Sequence, residues 1–202
     1  MDAPPTPFIG LTGAIAAGKS EALAAFARRG AATLSSDEIV HELLDDPELR
    51  ARLADRWGDG VMVEGRVARD RLGETVFGRP DELAWLESVL HPLVGREVAA
   101  WREGLPDGTP LAVVEVPLLF ETGLEAAFDA TVCVVASEAA RTLRAAERGT
   151  TLLEDRSGRQ LSQEEKAARA THVISNDGSL VDLEREIAQL VPALQATVER
   201  TG

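Results

Sequence analysis

An α/β fold, a parallel sheet flanked by helices, is what this sequence predicts. Three observations carry that expectation. The 202 residues suit one compact domain with inserted subdomains. Hydrophobic residues make up 45% of the chain, enough for a real core. Short apolar runs alternate with helical patterns in strand–helix order. Phe8–Leu11 reads as a first buried strand, followed by a helix over Ser20–Arg29 with Ala22, Leu23 and Phe26 on one face. Ala31–Leu34 is a second, short strand. Leu111–Val116 is the clearest strand, and Ala130–Val135 and His172–Ile174 complete a set of five. A final helix is expected from about Leu180 to Glu199.

Two regions interrupt the alternation. One, about 40–104, lies in a helix-rich stretch running from Asp37 to about Arg102 and ends in a Pro/Gly turn at Leu105–Pro110. The other, about 137–170, is polar and rich in Arg. In a parallel-sheet protein such insertions surround the ligand crevice at the strand ends. The expected division is therefore a core of 8–39, 105–136 and 171–200, a substrate-covering helical subdomain and a lid.

Composition narrows the function. With 21 basic and 34 acidic side chains the formal charge is −13, which argues against general affinity for nucleic acids or anionic membranes. Aromatic residues are 4% and Tyr is absent, so base stacking on a protein surface is not expected. Cys133, the single cysteine, sits in the apolar run Thr131–Val135 and reads as core packing. The N-terminus lacks the layout of a signal peptide, and Leu111–Phe120 is too short and too interrupted to span a membrane. The expectation is a cytoplasmic protein.

Gly13-Ala14-Ile15-Ala16-Ala17-Gly18-Lys19-Ser20 fits G-x-x-x-x-G-K-[ST], with a strand before it and a helix after it. Glycines let the backbone curl so that its N–H groups converge on phosphate oxygens, and the helix adds its positive end. Lys19 is then placed to reach the β- and γ-phosphates of a nucleotide such as ATP, and Ser20 to ligate Mg²⁺. Lysine usage adds weight: the chain has 19 Arg but only Lys19 and Lys166. A compact ammonium between phosphates is a role a forked guanidinium fills poorly. Glu21 puts a negative charge in the first helical turn, favourable to the dipole yet close to the phosphates.

A phosphate loop alone does not separate kinases, GTPases and motors. The guanine-reading Asn-Lys-x-Asp motif is absent, since Asn176, the one Asn, is followed by Asp177. The strongest strand carries Glu115 and runs into Pro117 instead of ending in Asp-Glu. A small-molecule kinase needs a carboxylate for the acceptor hydroxyl, basic groups around the phosphoryl, and a lid that excludes water. Asp37, just past the second strand, is the candidate carboxylate. Ser35-Ser36-Asp37-Glu38 also reads as a capping box, and the two readings are compatible. Arg141, Arg144, Arg148, Arg156, Arg159, Lys166 and Arg169 fall within 29 residues, and the first three share a helix face. A solvated face is the ordinary reading of any one of them; as a group in an acidic chain they read as a phosphate-facing lid.

Gly10-Leu11-Thr12-Gly13, Asp37, Leu90-His91-Pro92-Leu93, Val116-Pro117-Leu118-Leu119-Phe120-Glu121, the Arg-rich segment and Val173-Ile174-Ser175-Asn176 together resemble the dephospho-coenzyme A kinase family over about Ile9 to Leu190. The resemblance implies a three-layer P-loop NTPase fold and ATP-dependent phosphorylation of the ribose 3′-hydroxyl of dephospho-coenzyme A. It implies Asp37 as the catalytic carboxylate, with Lys19 and Arg144 beside it in catalysis. Arg69 and His91 match substrate-domain positions, with Pro117 and Leu118 also on the substrate side. Arg144 and Arg148 match lid arginines, and Asn176 matches a position near the adenine end. Glu115 reads either as a buried hydrogen-bonded acid or as a partner of the Mg²⁺ site. His91 reads equally as a core or turn histidine before Pro92, and Leu118 and its neighbours as wall packing. Ala14, Ala16 and Ala17 depart from the family's Gly, Gly and Ser, keeping the N–H donors but adding methyl groups. Ser35-Ser36 replaces an Asp-Ala pair, and Thr171 stands where Asp is frequent. A nucleoside monophosphate kinase, or a nucleotide-binding regulator without phosphotransfer, are the alternatives. A monomer or weak homo-oligomer is expected.

Overall fold

The computed structural model describes residues 5–147 and 160–197. In chain order the elements are β1 (Phe8–Gly13), α1 (Lys19–Arg28), β2 (Ala32–Ser35), α2 (Ser36–Leu43), α3 (Pro47–Trp57), β3 (Met62–Val63), β4 (Arg66–Val67), α4 (Arg69–Val76), α5 (Pro80–Glu103), β5 (Ala112–Glu115), β6 (Ala130–Val135), α6 (Glu138–Glu147), α7 (Gln163–Arg169), β7 (His172–Ser175) and α8 (Leu180–Gln195). The described residues form two compact units, one drawn from Met1–Ser35 with Gly104–Gly202 and the other Ser36–Glu103.

The first unit holds the five-stranded sheet, in the order β2-β5-β1-β6-β7. Every pairing is parallel, with Phe8 opposite Ala112, Ile9 opposite Ala130, Ser35 opposite Glu115 and Val135 opposite Ser175. β1 is central and buried along its whole length. The chain leaves β1 toward β2 on one side, whereas it leaves β6 toward β7 on the other. The topological switch point therefore lies at the C-terminal ends of β1 and β6, where ligands bind in open α/β sheets. α1 packs with α8 and against β2 and β5, and α7 packs against β1 and β6. The core between these layers is made of Ile9, Leu11, Phe26, Val113, Val132, Ile174, Leu183 and Ile187, with small Ala22 and Ala25 letting α1 approach closely.

The second unit is helical around Leu49, Leu53, Val61, Leu72, Leu86 and Val89. Asp46 caps α3 by accepting from the Leu49 N–H at 2.9 Å, with Pro47 opening the helix. Glu82 accepts from Arg56 Nε and Nη2 at 3.0 and 3.2 Å and from the Trp57 indole at 2.9 Å, which holds its carboxyl below the usual range.

Element order agrees with the expectation, with bounds shifted by one or two residues, and Ala130–Val135 coincides. α8 ends earlier, at Gln195, three residues past Pro192. The β3–β4 hairpin is a finding beyond the helix-rich reading of this stretch. Glu64 and Gly65 at its turn both have positive φ, 50° and 76°, as a tight two-residue hairpin requires. Ser35 ends β2 directly before α2, at the cap position the sequence expects, but the capping box is corrected: no hydrogen bond joins the Ser35 hydroxyl to the Glu38 N–H. Capping boxes do form at Ser162 with Glu165 and Ser179 with Asp182.

Candidate active site

The loop between β1 and α1 is built from backbone. The Ala14 carbonyl accepts from the Ala17 N–H and from Lys19 Nζ, each at 3.2 Å. This ties the lysine side chain back across its own loop. Gly18 has φ 94°, and a Cβ there would overlap Asn176 Nδ2. At Gly13 a Cβ would sit 2.5 Å from the Val134 carbonyl oxygen. Both glycines are thus sterically required. Ala16 has φ 59°, the left-handed region, at the position where the resemblance expects Gly. An L-residue is strained there by about 1–2 kcal/mol. Ile15 and Ala16 are half-buried, and Ser20 and Glu21 are exposed in the first turn of α1. The N–H groups of that turn lie ahead of the helix's own hydrogen-bond ladder.

Asn176, at the end of β7, is buried against this loop. Its Nδ2 donates to the Ala17 carbonyl at 2.9 Å, and its own carbonyl accepts from Arg144 Nη2 at 2.6 Å. Arg144 therefore reaches from α6 to the rim of the loop. Its Nη1 is buried without a hydrogen-bond partner, and it would lie 3.9 Å from a Cβ on Gly18. A buried guanidinium donor left open beside a phosphate-binding loop is a fitting place for an anionic oxygen. Next along the chain, Asp177 accepts from the Ser137 N–H at 2.6 Å. That bond, with help from Ser175 and Arg144, holds its carboxyl below the usual range. Arg141 shares α6 and is buried. Arg148, Arg156 and Arg159 lie outside the described residues.

Lys166 departs from the expected role of a phosphate-facing lid residue. It is 1% exposed, donates to the Pro117 carbonyl at 2.7 Å and pairs with Glu121 at 3.0 Å. The Pro117 carbonyl also accepts from Thr12 Oγ1 at 3.2 Å. Leu118 is half-buried, and its carbonyl accepts from Thr122. The sequence reading did not find this cluster. Its one signal was the rarity of lysine in an arginine-rich chain.

Glu115 ends β5 and is buried; Ser20 offers an exposed hydroxyl. Both are hard oxygen donors. Among the described residues no group of three His, Cys, Asp or Glu is placed to hold a metal. Mg²⁺ keeps several waters and takes one or two protein oxygens plus substrate phosphates, so this sparse donor set fits it.

In the second unit Asp37 is exposed in the first turn of α2. Arg69 opens α4, and its Nη1 donates to His41 Nδ1 at 2.9 Å. His91 is exposed on α5 rather than in a turn, with Pro92 inside the same helix. Thr171, in place of a carboxylate, exchanges hydrogen bonds with Thr131 across the sheet edge at 3.0 and 3.1 Å.

Residues 7–182 match the model of the dephospho-CoA kinase family. The dephospho-CoA kinase of Brucella melitensis is 37% identical over 190 residues, covering 92% of this chain and 94% of that protein. The Deinococcus radiodurans dephospho-CoA kinase is also 37% identical, over 193 residues, covering 94% of this chain and 93% of that one. Among solved structures, that of TT1252 from Thermus thermophilus superposes with a TM-score of 0.81 at 35% identity, covering 94% of this chain and 98% of that one. Dephospho-CoA kinase from Campylobacter jejuni superposes with a TM-score of 0.64 at 24% identity, covering 94% and 97%, which supports the fold. With a phosphate loop at the switch point of a five-stranded parallel sheet and a family match spanning nearly its whole length, the chain belongs to the dephospho-CoA kinase family.

Proposed function

We propose that this enzyme transfers the γ-phosphoryl group of ATP to the ribose 3′-hydroxyl of dephospho-coenzyme A, the final step of coenzyme A biosynthesis. One observation carries the reading: a sterically complete phosphate-binding loop at Gly13–Ser20 inside a chain whose residues 7–182 match the family.

The N–H groups of Gly13–Ser20 cradle the triphosphate, with the positive end of α1 behind them. On nucleotide binding Lys19 exchanges the Ala14 carbonyl for the β- and γ-phosphates. Arg144 offers its open Nη1 to the moving phosphoryl, and Arg148 adds a second cation. Glu21 stays on the solvent side of the first turn. Asn176, near the adenine end of the nucleotide, also holds the loop through Ala17. Ser20 and Glu115 are the residues that would hold Mg²⁺, which when bound would neutralise charge on the phosphate oxygens. Asp37 orients the acceptor hydroxyl and accepts its proton, a contribution of about 10²–10⁴ in rate. Arg69 and His91 bind the acceptor, with Pro117 and Leu118 bordering it. The segment 40–104 serves as the acceptor subdomain, and 137–170 as the lid that excludes water. Small molecules are the partners, with no nucleic acid or membrane. No helix among the described residues is long and apolar enough to cross a bilayer. The expected setting is the cytoplasm, as a monomer or weak homo-oligomer.

The test is a panel of acceptors with ATP·Mg²⁺, read by mass spectrometry. Dephospho-coenzyme A gains one phosphoryl group, and nucleoside monophosphates and shikimate gain none. Product from a nucleoside monophosphate but not from dephospho-coenzyme A would sink the assignment.

A further inference from the structure

We propose that Lys166 is a positioning residue for the acceptor side of the reaction, its buried ammonium pinning the Pro117 carbonyl and with it the turn Pro117–Glu121. This rests on the reading above that Pro117 and Leu118 border the acceptor.

The Pro117 carbonyl is a junction of three elements. Lys166 reaches it from α7 at 2.7 Å, and Thr12 reaches it from the end of β1 at 3.2 Å, one residue before the phosphate loop. Pro117 itself opens the turn that follows β5. Glu121, four residues further, closes the turn onto the same ammonium at 3.0 Å and accepts from the Leu161 N–H at 2.9 Å. The turn is therefore held at both ends by one side chain.

The energetics point to geometry as the reason for this pair. A buried ion pair is often no more stabilising than apolar residues of the same volume. Glu121 Oε2 is buried without a hydrogen-bond partner, so the pair is an incompletely satisfied one. A purely stabilising contact here would be better made by aliphatic packing. An ammonium also has three donors on a compact head, and two acceptors converge on it in a space 1% exposed to solvent. The planar fork of Arg does not fit that geometry. In a chain with 19 Arg and two Lys, both lysines stand where a compact cation is needed, one across the phosphate loop and one beneath the neighbouring turn.

The variants Lys166→Met and Lys166→Met/Glu121→Gln separate positioning from plain stability. The single change strands a buried carboxylate and lowers Tm by roughly 10 °C. The double change removes both charges and returns Tm toward that of the parent enzyme. Positioning requires that the double variant still lack the Pro117 pin. Its KM for dephospho-coenzyme A then stays raised about tenfold, the loss of one charge-assisted hydrogen bond. Its KM for ATP changes less than about twofold over the same range. Hydrogen exchange at the Thr122 and Leu124 amides, which bond to Leu118 and Leu119 within this turn, speeds up in the double variant as well. Recovery of acceptor KM together with Tm, or unchanged exchange at those two amides, overturns the proposal. If the parent enzyme forms no product from dephospho-coenzyme A, the function above falls instead, and the exchange measurement by itself decides the pin.

Discussion

The phosphate loop and the helical unit carry the candidate functional residues in opposite ways. Around Gly13–Ser20 the site is made of backbone, locked by steric fit: Gly18 against Asn176, Gly13 against Val134, Lys19 across to Ala14. In Ser36–Glu103 the candidates Asp37, Arg69 and His91 are exposed side chains on three separate helices. The unit's core of Leu, Val and Trp does not include them. The difference teaches where changes hurt. In the loop, shape and function are one property, so substitution damages both. On the helices a functional side chain can be removed with the scaffold left intact.

The sharpest way to break that contrast is Gly18→Ala. A methyl group there collides with Asn176 at a backbone φ of 94°, so the loop must open. Turnover should fall by about a hundredfold or more, with ATP binding lost alongside it. Isothermal titration with ATP checks this, and near-normal affinity would mean the loop yields more than its geometry indicates. Asp37→Asn probes the other side. Turnover should fall by about 10²–10⁴ with Tm and ATP affinity unchanged, because the residue is exposed. Turnover close to that of the parent enzyme removes Asp37 from the chemistry.

Ala16→Gly is a gentler probe of the loop. It relieves a left-handed residue, worth about 1–2 kcal/mol, against the added freedom of Gly in the unfolded chain, about 0.4–1 kcal/mol. Tm should rise by roughly 2 °C. A fall would show that the methyl group packs usefully. At neutral pH the smallest effect is at Cys133, whose thiol burial pushes up to about 11, with Lys166 and Lys19 pulling it back. The unfolded thiol ionises near 9.0 while the folded one remains protonated. Its stabilising contribution is therefore complete below that pH and is lost as pH rises toward about 11. Urea midpoints of the parent and Cys133→Ala should diverge only above that lower value. Parallel curves would deny the burial.

Legibility in the sequence follows the range of the interaction. The five strands could be read because each holds a short apolar stretch between helical patterns, and the loop because its eight positions are contiguous in Gly13–Ser20. Arg144 was legible as a lid arginine from the Arg cluster and from the resemblance; that its Nη2 is spent on the Asn176 carbonyl and its Nη1 is open follows from the approach of α6 to β7. Ser35 stands at the cap position before α2 and also ends a strand paired with β5, which the local Ser-x-x-Glu pattern does not reveal. The short β3–β4 hairpin escaped because two-residue strands are too brief to show alternation.

The sequence alone determined that the chain is a triphosphate-binding α/β protein of an identifiable kinase family. Periodicity and a contiguous motif are local properties, written one residue after another. Tertiary structure decided what the two lysines do. Lys19 was readable from its neighbours, whereas Lys166 looked like one more lid cation. Its partners Pro117 and Glu121 are 49 and 45 positions away along the chain, and only the packing of α7 against the sheet brings them to its ammonium. A buried charge takes its meaning from what surrounds it in space, and no window of sequence contains that.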